Sequence, residues 1–292
     1  MENGRNLNLP FFIFYIHYST RYSFIFMPTI QANGVKLFYV EKGSGNETIV
    51  FSHGLLWSHR MFQAQIDFLS KNYRVIAYDH RGQGQSEVKG PFDLETVAED
   101  SAALITELSQ GPVHFAGLSM GGFVGMRLAA RHPKLIKSLI LLETSANSEP
   151  VENLPKYKTL NGIVKWLGVI PPVASKVMHI MFAESWLSNA ANTASIKYWK
   201  KELASNKKTI TGPVEGVIYR KGIEDELSKI SCPTLIIVGD EDVATKPEKA
   251  KYIQMAITGA SLQLISGAGH SSCIEKPEIV NDLLAEWLKE RT

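Results

Sequence analysis

The chain has 292 residues, 45% hydrophobic and 21% charged, a balance that supports a sizeable core and excludes an intrinsically disordered or fibrous chain. Its 31 lysines and arginines against 29 aspartates and glutamates leave a formal charge of +2, and the basic residues are scattered, so neither nucleic acid nor an anionic membrane surface is an expected partner. The two cysteines, Cys232 and Cys273, are too few for a disulfide scaffold or a C-x-x-C metal site, and they point to free thiols in a reducing, cytoplasmic compartment.

From the amino end, residues 1–27 are the unusual part. Leu9 to Phe26 is rich in aromatic and aliphatic side chains but is broken by His17, Ser19, Thr20 and Arg21, so its apolar run is too short to span a bilayer. No small-residue cleavage site follows it. The segment is read as an extension of unclear role, with Met27 as a possible start and a membrane-associated terminus as the alternative. From Pro28 to Leu37 the chain reads as a turn into a first strand.

Short apolar runs then alternate with longer stretches of helical period. The runs are Ile49 to Ser52, Val75 to Tyr78, Val113 to Ala116, Leu139 to Leu142, Leu235 to Val238 and Leu262 to Ile265. Because they are apolar nearly throughout, the pattern predicts a largely parallel sheet with both faces of each strand buried. Leu94, Val97, Ala98, Ala102, Ile105 and Leu108 keep helical spacing, with Asp93 placed as an N-cap and Gly111 beyond the end, which predicts one covering helix. Pro277 followed by Ile279, Val280, Leu283, Leu284, Trp287 and Leu288 predicts another at the carboxyl end. Between about Ser145 and Asp225 no strand-like run occurs, and prolines and glycines separate several helical stretches. That span is read as a helical insertion. The division expected is 1–27 as the extension, 28–144 and 226–292 as two parts of one α/β core, and 145–225 as a helical cap.

Chemistry concentrates at three places. Val113 to Met126 runs strand, sharp turn, helix, with Gly117-Leu118-Ser119-Met120-Gly121 at the turn. This G-x-S-x-G arrangement is a nucleophile elbow, where glycines permit the tight turn and the serine projects its hydroxyl above the sheet. A serine hydroxyl needs a base, and the base needs an orienting acid. Downstream, Leu235 to Val238 leads into Gly239-Asp240-Glu241-Asp242, and Leu262 to Ile265 into Ser266-Gly267-Ala268-Gly269-His270. His270 is the candidate base and Asp242 the favoured acid, with Asp240, Glu241 or Glu143 able to take its place. The other histidines carry no comparable pattern and are read as structural or exposed. For the negative charge of a tetrahedral intermediate, the backbone N–H groups of Met120 and Leu55 are the candidate donors, with His53 and Gly54 shaping the loop that carries Leu55.

Asp79-His80-Arg81-Gly82-Gln83-Gly84-Gln85-Ser86 tempts a nucleotide reading, but Glu87 stands where a dinucleotide fingerprint needs glycine. There is no phosphate loop and no H-E-x-x-H, so neither nucleotide, metal nor another cofactor is expected. The segment is read as a turn ordering the sheet edge near the site.

With His-Gly after one strand, Asp-x-Arg-Gly-x-Gly-x-Ser after the next and Gly-x-Ser-Met-Gly-Gly at the elbow, the chain resembles the α/β-hydrolase family from about Val35 to Lys289. The resemblance implies a mostly parallel eight-stranded sheet, a helical cap inserted after the sixth strand, and a triad on Ser119, Asp242 and His270. It resembles the small cap-bearing serine esterase and lactonase type. Epoxide hydrolases and haloalkane dehalogenases are set aside, because they carry aspartate where Ser119 stands. Trp166, Trp186, Trp199, Met178, Met181 and Phe182 are the apolar cap residues available for a substrate pocket, one or two of them touching substrate and the rest packing helices. The expected function is hydrolysis of a small, partly apolar carboxylic ester or lactone, with no cofactor and a small molecule as partner. The alternatives are carbon–carbon bond cleavage by the same triad, or a ligand receptor that keeps the fold; the oligomeric state is left open.

Overall fold

A computed structural model describes residues 28–291; the amino-terminal extension read from the sequence lies outside them. Eight strands form one sheet: β1 (Thr29–Ala32), β2 (Val35–Lys42), β3 (Thr48–Ser52), β4 (Arg74–Tyr78), β5 (Val113–Leu118), β6 (Ile136–Leu142), β7 (Thr234–Gly239) and β8 (Ser261–Ile265). Their order is β1-β2-β4-β3-β5-β6-β7-β8. The β1–β2 and β2–β4 pairs are antiparallel and the others parallel, which is the mostly parallel eight-stranded α/β sheet anticipated above.

The helices are α1 (Gln63–Leu69), α2 (Leu94–Leu108), α3 (Met120–Arg131), α4 (Leu154–Leu167), α5 (Pro171–Met181), α6 (Glu184–Leu187), α7 (Thr193–Ala204), α8 (Thr211–Ile218), α9 (Pro247–Ala256), α10 (Ser272–Glu275) and α11 (Pro277–Lys289). Because side chains alternate along a strand, each central strand feeds two apolar layers. Phe51, Ala116, Leu118, Ile140, Leu142 and Ile237 pack with α1 and α11 on one face. Val50, Phe115, Leu139, Leu141, Ile236 and Val238 pack with α2, α3 and α9 on the other. The predicted cap of α2 forms: Thr96 N donates to Asp93 Oδ1 at 2.8 Å, an interaction contributing about 1 kcal/mol. The span between β6 and β7 is helical, carrying α4 to α8.

Two expectations change. The turn before Val35 is an Asn33-Gly34 hairpin turn, with φ of 46° and 76°, and its other arm is the short strand β1, which has no long apolar run to announce it. Strand β8 is not buried on both faces: it lies at the sheet edge, and Leu264 is 59% exposed. Among the described residues no helix is long and apolar enough to cross a membrane.

At the elbow the helix lies hard against the sheet. A Cβ on Gly121 would fall 2.0 Å from the Ser52 carbonyl oxygen, and one on Gly117 2.2 Å from the Gly121 carbonyl oxygen. Backbone atoms cannot swing aside as a side chain does. Gly121→Ala is therefore expected to lower unfolding free energy by about 3 kcal/mol or more, read as a shift in the urea midpoint at unchanged slope.

Candidate active site

Strand β5 delivers Ser119 into a backbone conformation of φ 53° and ψ −110°, strained for any residue but glycine and costing on the order of 1–3 kcal/mol. Three hydrogen bonds hold it there. Ser119 N donates to the Leu142 carbonyl at 2.9 Å, Phe123 N donates to the Ser119 carbonyl at 3.0 Å, and Thr144 Oγ1 donates to that same carbonyl at 2.8 Å.

The loops after β7 and β8 bring the other two predicted residues to it. His270 Nε2 lies 2.8 Å from Ser119 Oγ, and His270 Nδ1 lies 2.9 Å from Asp242 Oδ2. Asp242 is fixed in turn, since Ala244 N and Thr245 N donate to its Oδ1 at 2.8 and 2.9 Å, and Thr245 Oγ1 donates to its Oδ2 at 2.8 Å. Burial is the largest influence on the Asp242 carboxyl and pushes its pKa up, but the charge of His270 and the hydrogen bonds from His270 and Thr245 outweigh it and leave the pKa lowered. The bracing Thr245 was not anticipated, although Asp-x-x-Thr is a spacing at which a carboxylate commonly bonds local backbone.

The other candidate acids are placed elsewhere. Asp240 accepts from Gly267 N at 2.7 Å and Ser266 Oγ at 3.0 Å, tying the β7 and β8 loops together. Glu241 accepts from the backbone N and the hydroxyl of Ser185, so it reaches the helical span. Glu143, at φ 41° after β6, is fully buried. Burial, with the charges of Asp242 and Glu275 added, outweighs the opposing Ser272 hydroxyl and Gly239 N–H and pushes its pKa well above the ordinary glutamate range.

A carboxylate with no distinguishing mark in the sequence supports the histidine loop. Glu275 accepts from Gly269 N and Ser271 N at 3.1 Å and from Ala183 N at 2.9 Å, joining the residues on either side of His270 to the chain between α5 and α6. Gly269 is needed for that approach, because a Cβ there would fall 2.3 Å from Ala183 N.

Leu55 and Ser119 line one cavity with His270, and among the described residues the N–H groups of Leu55 and Met120 make no hydrogen bond. His53 shapes the Leu55 loop as anticipated: it is fully buried, its Nδ1 lies 2.7 Å from the Gly54 carbonyl, and its Nε2 accepts from His80 N at 3.0 Å. Burial lowers its pKa, in keeping with a neutral ring whose Nε2 lone pair faces a donor.

The cavity wall is mainly aliphatic, with Val164, Val173, Val177, Met181, Val214 and Val217 from α4, α5 and α8. Of the six apolar cap residues considered above, Met181 alone lines it. Trp166 is 79% exposed, while Phe182 stacks on Trp186 at 4.8 Å and Trp199 packs edge-on to Trp57 at 5.3 Å; these contacts join α6 to the chain before it and α7 to the loop after β3. A paired charge also lies in the wall, Arg220 to Glu149 at 2.9 Å, with the guanidinium 4.3 Å from the Phe123 ring centre. Among the described residues no group of three or more His, Cys, Asp or Glu is placed to hold a metal ion.

A family model described as the alpha/beta hydrolase fold matches residues 47–277. Among curated relatives, a 3-oxoadipate enol-lactonase of Acinetobacter baylyi is 25% identical over 268 residues, spanning 91% of this chain and 98% of its own. The crystal structure of an enol-lactonase from Burkholderia xenovorans superposes with a TM-score of 0.83 at 28% identity, covering 90% of this chain and all (100%) of that one. A thermophilic esterase from Thermogutta terrifontis gives a TM-score of 0.83 at 27% identity, covering 91% and 99% of the two chains.

Proposed function

The chain belongs to the α/β hydrolase fold family, and on that premise we propose that it is a serine hydrolase of small, partly apolar carboxylic esters or lactones, acting through an acyl-enzyme on Ser119. The observation that carries the reading is the line of contacts from Ser119 Oγ through His270 to Asp242, at 2.8 and 2.9 Å, opening on an aliphatic cavity. The similarity to enol-lactonases and to an esterase supports the choice of carbonyl substrate.

In this mechanism Ser119 Oγ attacks the carbonyl carbon as its proton passes to His270 Nε2, and the Asp242 carboxylate stabilises the resulting imidazolium. The carbonyl oxygen, now negative, lies toward the N–H groups of Leu55 and Met120, each able to contribute about a hundredfold to a thousandfold in rate. Collapse breaks the bond to the alkoxy oxygen, which leaves with the proton from His270. With a lactone, the released hydroxyl stays on the acyl group. Water then gives its proton to His270 and attacks the acyl carbon, releasing the acid and restoring Ser119.

The testing experiment is hydrolysis of a panel of p-nitrophenyl esters graded in acyl length, together with simple lactones. An aliphatic cavity predicts turnover that rises from acetate to a medium-chain optimum and falls again once the chain outgrows the cavity. Inactivity across the whole panel overturns the reading.

A further inference from the structure

Leu56, the neighbour of the proposed oxyanion donor Leu55, has φ 73°, a left-handed conformation that is strained for leucine and persists only where its surroundings enforce it. Two side chains enforce it. Leu56 N donates to Gln83 Oε1 at 3.0 Å, and Asn206 Nδ2 donates to the Leu56 carbonyl at 3.0 Å. Gln83 is buried, at 2% exposure, and its Nε2 lies 3.5 Å from Met120 Sδ, so one amide touches the residues that carry or flank both candidate donors. Asn206 comes from the other side, just past α7 in the helical span between β6 and β7.

We propose that Gln83 and Asn206 are positioning residues that clamp Leu56 from opposite sides and so aim the Leu55 N–H into the oxyanion hole, making that hole depend on how the helical span sits on the core. The inference rests on the serine-hydrolase reading of Ser119, Leu55 and Met120. Removing either clamp leaves the backbone free to relax from the left-handed region. A rotation there turns the Leu55–Leu56 peptide and, through Leu55, shifts the Gly54–Leu55 peptide that carries the donor N–H, and a donor displaced by about 1 Å from a charge it must meet forfeits on the order of a hundredfold in rate. Leu56 contributes one side chain to the cavity wall, but neither Gln83 nor Asn206 lines it and the aliphatic side chains of α4, α5 and α8 make up most of it, so the loss falls mainly on the transition state.

The test compares wild type with Gln83→Met, Gln83→Glu and Asn206→Ala. It measures kcat and KM on the best ester of the panel, the inhibition constant of an alkyl trifluoromethyl ketone, and thermal stability. The ketone adds to Ser119 to form a hemiketal whose oxygen occupies the oxyanion position. Gln83→Met and Asn206→Ala are expected to lower kcat about tenfold to a hundredfold and to weaken the ketone by the same factor, with KM changed less than about twofold. Gln83→Glu retains an acceptor for Leu56 N in either protonation state and is expected to stay near wild type. Asn206 is only half-buried, so its variant reports the clamp even if a Gln83 variant folds poorly.

Unchanged kcat and ketone affinity in a folded Asn206→Ala protein overturn the proposal. So does a fall in thermal stability or a rise in KM without loss of ketone affinity, which marks both residues as loop supports. Wild-type protein indifferent to the ketone, or Ser119→Ala retaining activity, instead removes the serine-hydrolase reading beneath it.

Discussion

Ser119→Ala is expected to lower kcat on any accepted ester by roughly four to six orders of magnitude, leaving only what binding and the oxyanion donors supply. The size of the effect follows from the geometry. Ser119 Oγ is the hydroxyl 2.8 Å from His270 Nε2, and the proposed mechanism passes every bond change through it. His270→Ala should be equally damaging, and the double variant little worse than either alone, because the residues act as a unit. Structure should survive the serine change, since the hydrogen bonds that hold the strained backbone run through Ser119 N and its carbonyl, not through Oγ. Circular dichroism and an unchanged denaturation midpoint would establish that the lost activity is chemical. A variant that keeps a substantial fraction of wild-type kcat would require another nucleophile.

How far this arrangement could be read in the sequence depends on whether local chemistry or tertiary packing decides each part. The elbow was legible because tight turns leave few options: Gly117 and Gly121 stand where a Cβ would strike backbone, and glycine is the residue that avoids it. The buried central strands were legible as continuous apolar runs, and α2 as a helical period with its own cap. The exposed face of β8 was not, because a run such as Leu262 to Ile265 carries no mark of its place at the sheet edge. Which carboxylate faces His270 was legible only as a preference for Asp242 with its neighbours left open. Asp240, Glu241 and Asp242 are adjacent in sequence, and only the folded loop sends one to the β8 loop, one to Ser185 and one to the histidine. The pocket wall was legible in part. That one or two of the six apolar residues would face substrate and the rest pack agrees with Met181 alone lining the cavity, but the valines that make most of its wall carry no mark in the sequence.

The assignment of the acid makes the second large prediction, through a contrast between two buried carboxyls. Asp242→Asn should lower kcat by about four orders of magnitude, because an amide cannot stabilise the imidazolium and favours the wrong histidine tautomer. Glu143→Gln should leave kcat near wild type, since an amide has the shape of the protonated carboxyl that burial favours. Stability should show the opposite ranking. Raising the folded pKa of an acid makes the folded state bind more protons than the unfolded one at every pH between the two values. Stability from Glu143 is therefore lost as pH rises through that interval, by about 1.4 kcal/mol per pH unit. Glu143→Gln removes that slope, so its advantage over wild type in urea unfolding should grow as pH rises above the ordinary glutamate value of about 4.3. Asp242, whose folded pKa is lowered, acts with the reverse sign: its contribution is present above the unfolded value and is lost as pH falls through the folded one. If Glu143→Gln abolishes turnover and Asp242→Asn does not, the acid of the triad is Glu143, and the 2.9 Å contact between His270 and Asp242 is a structural pairing only.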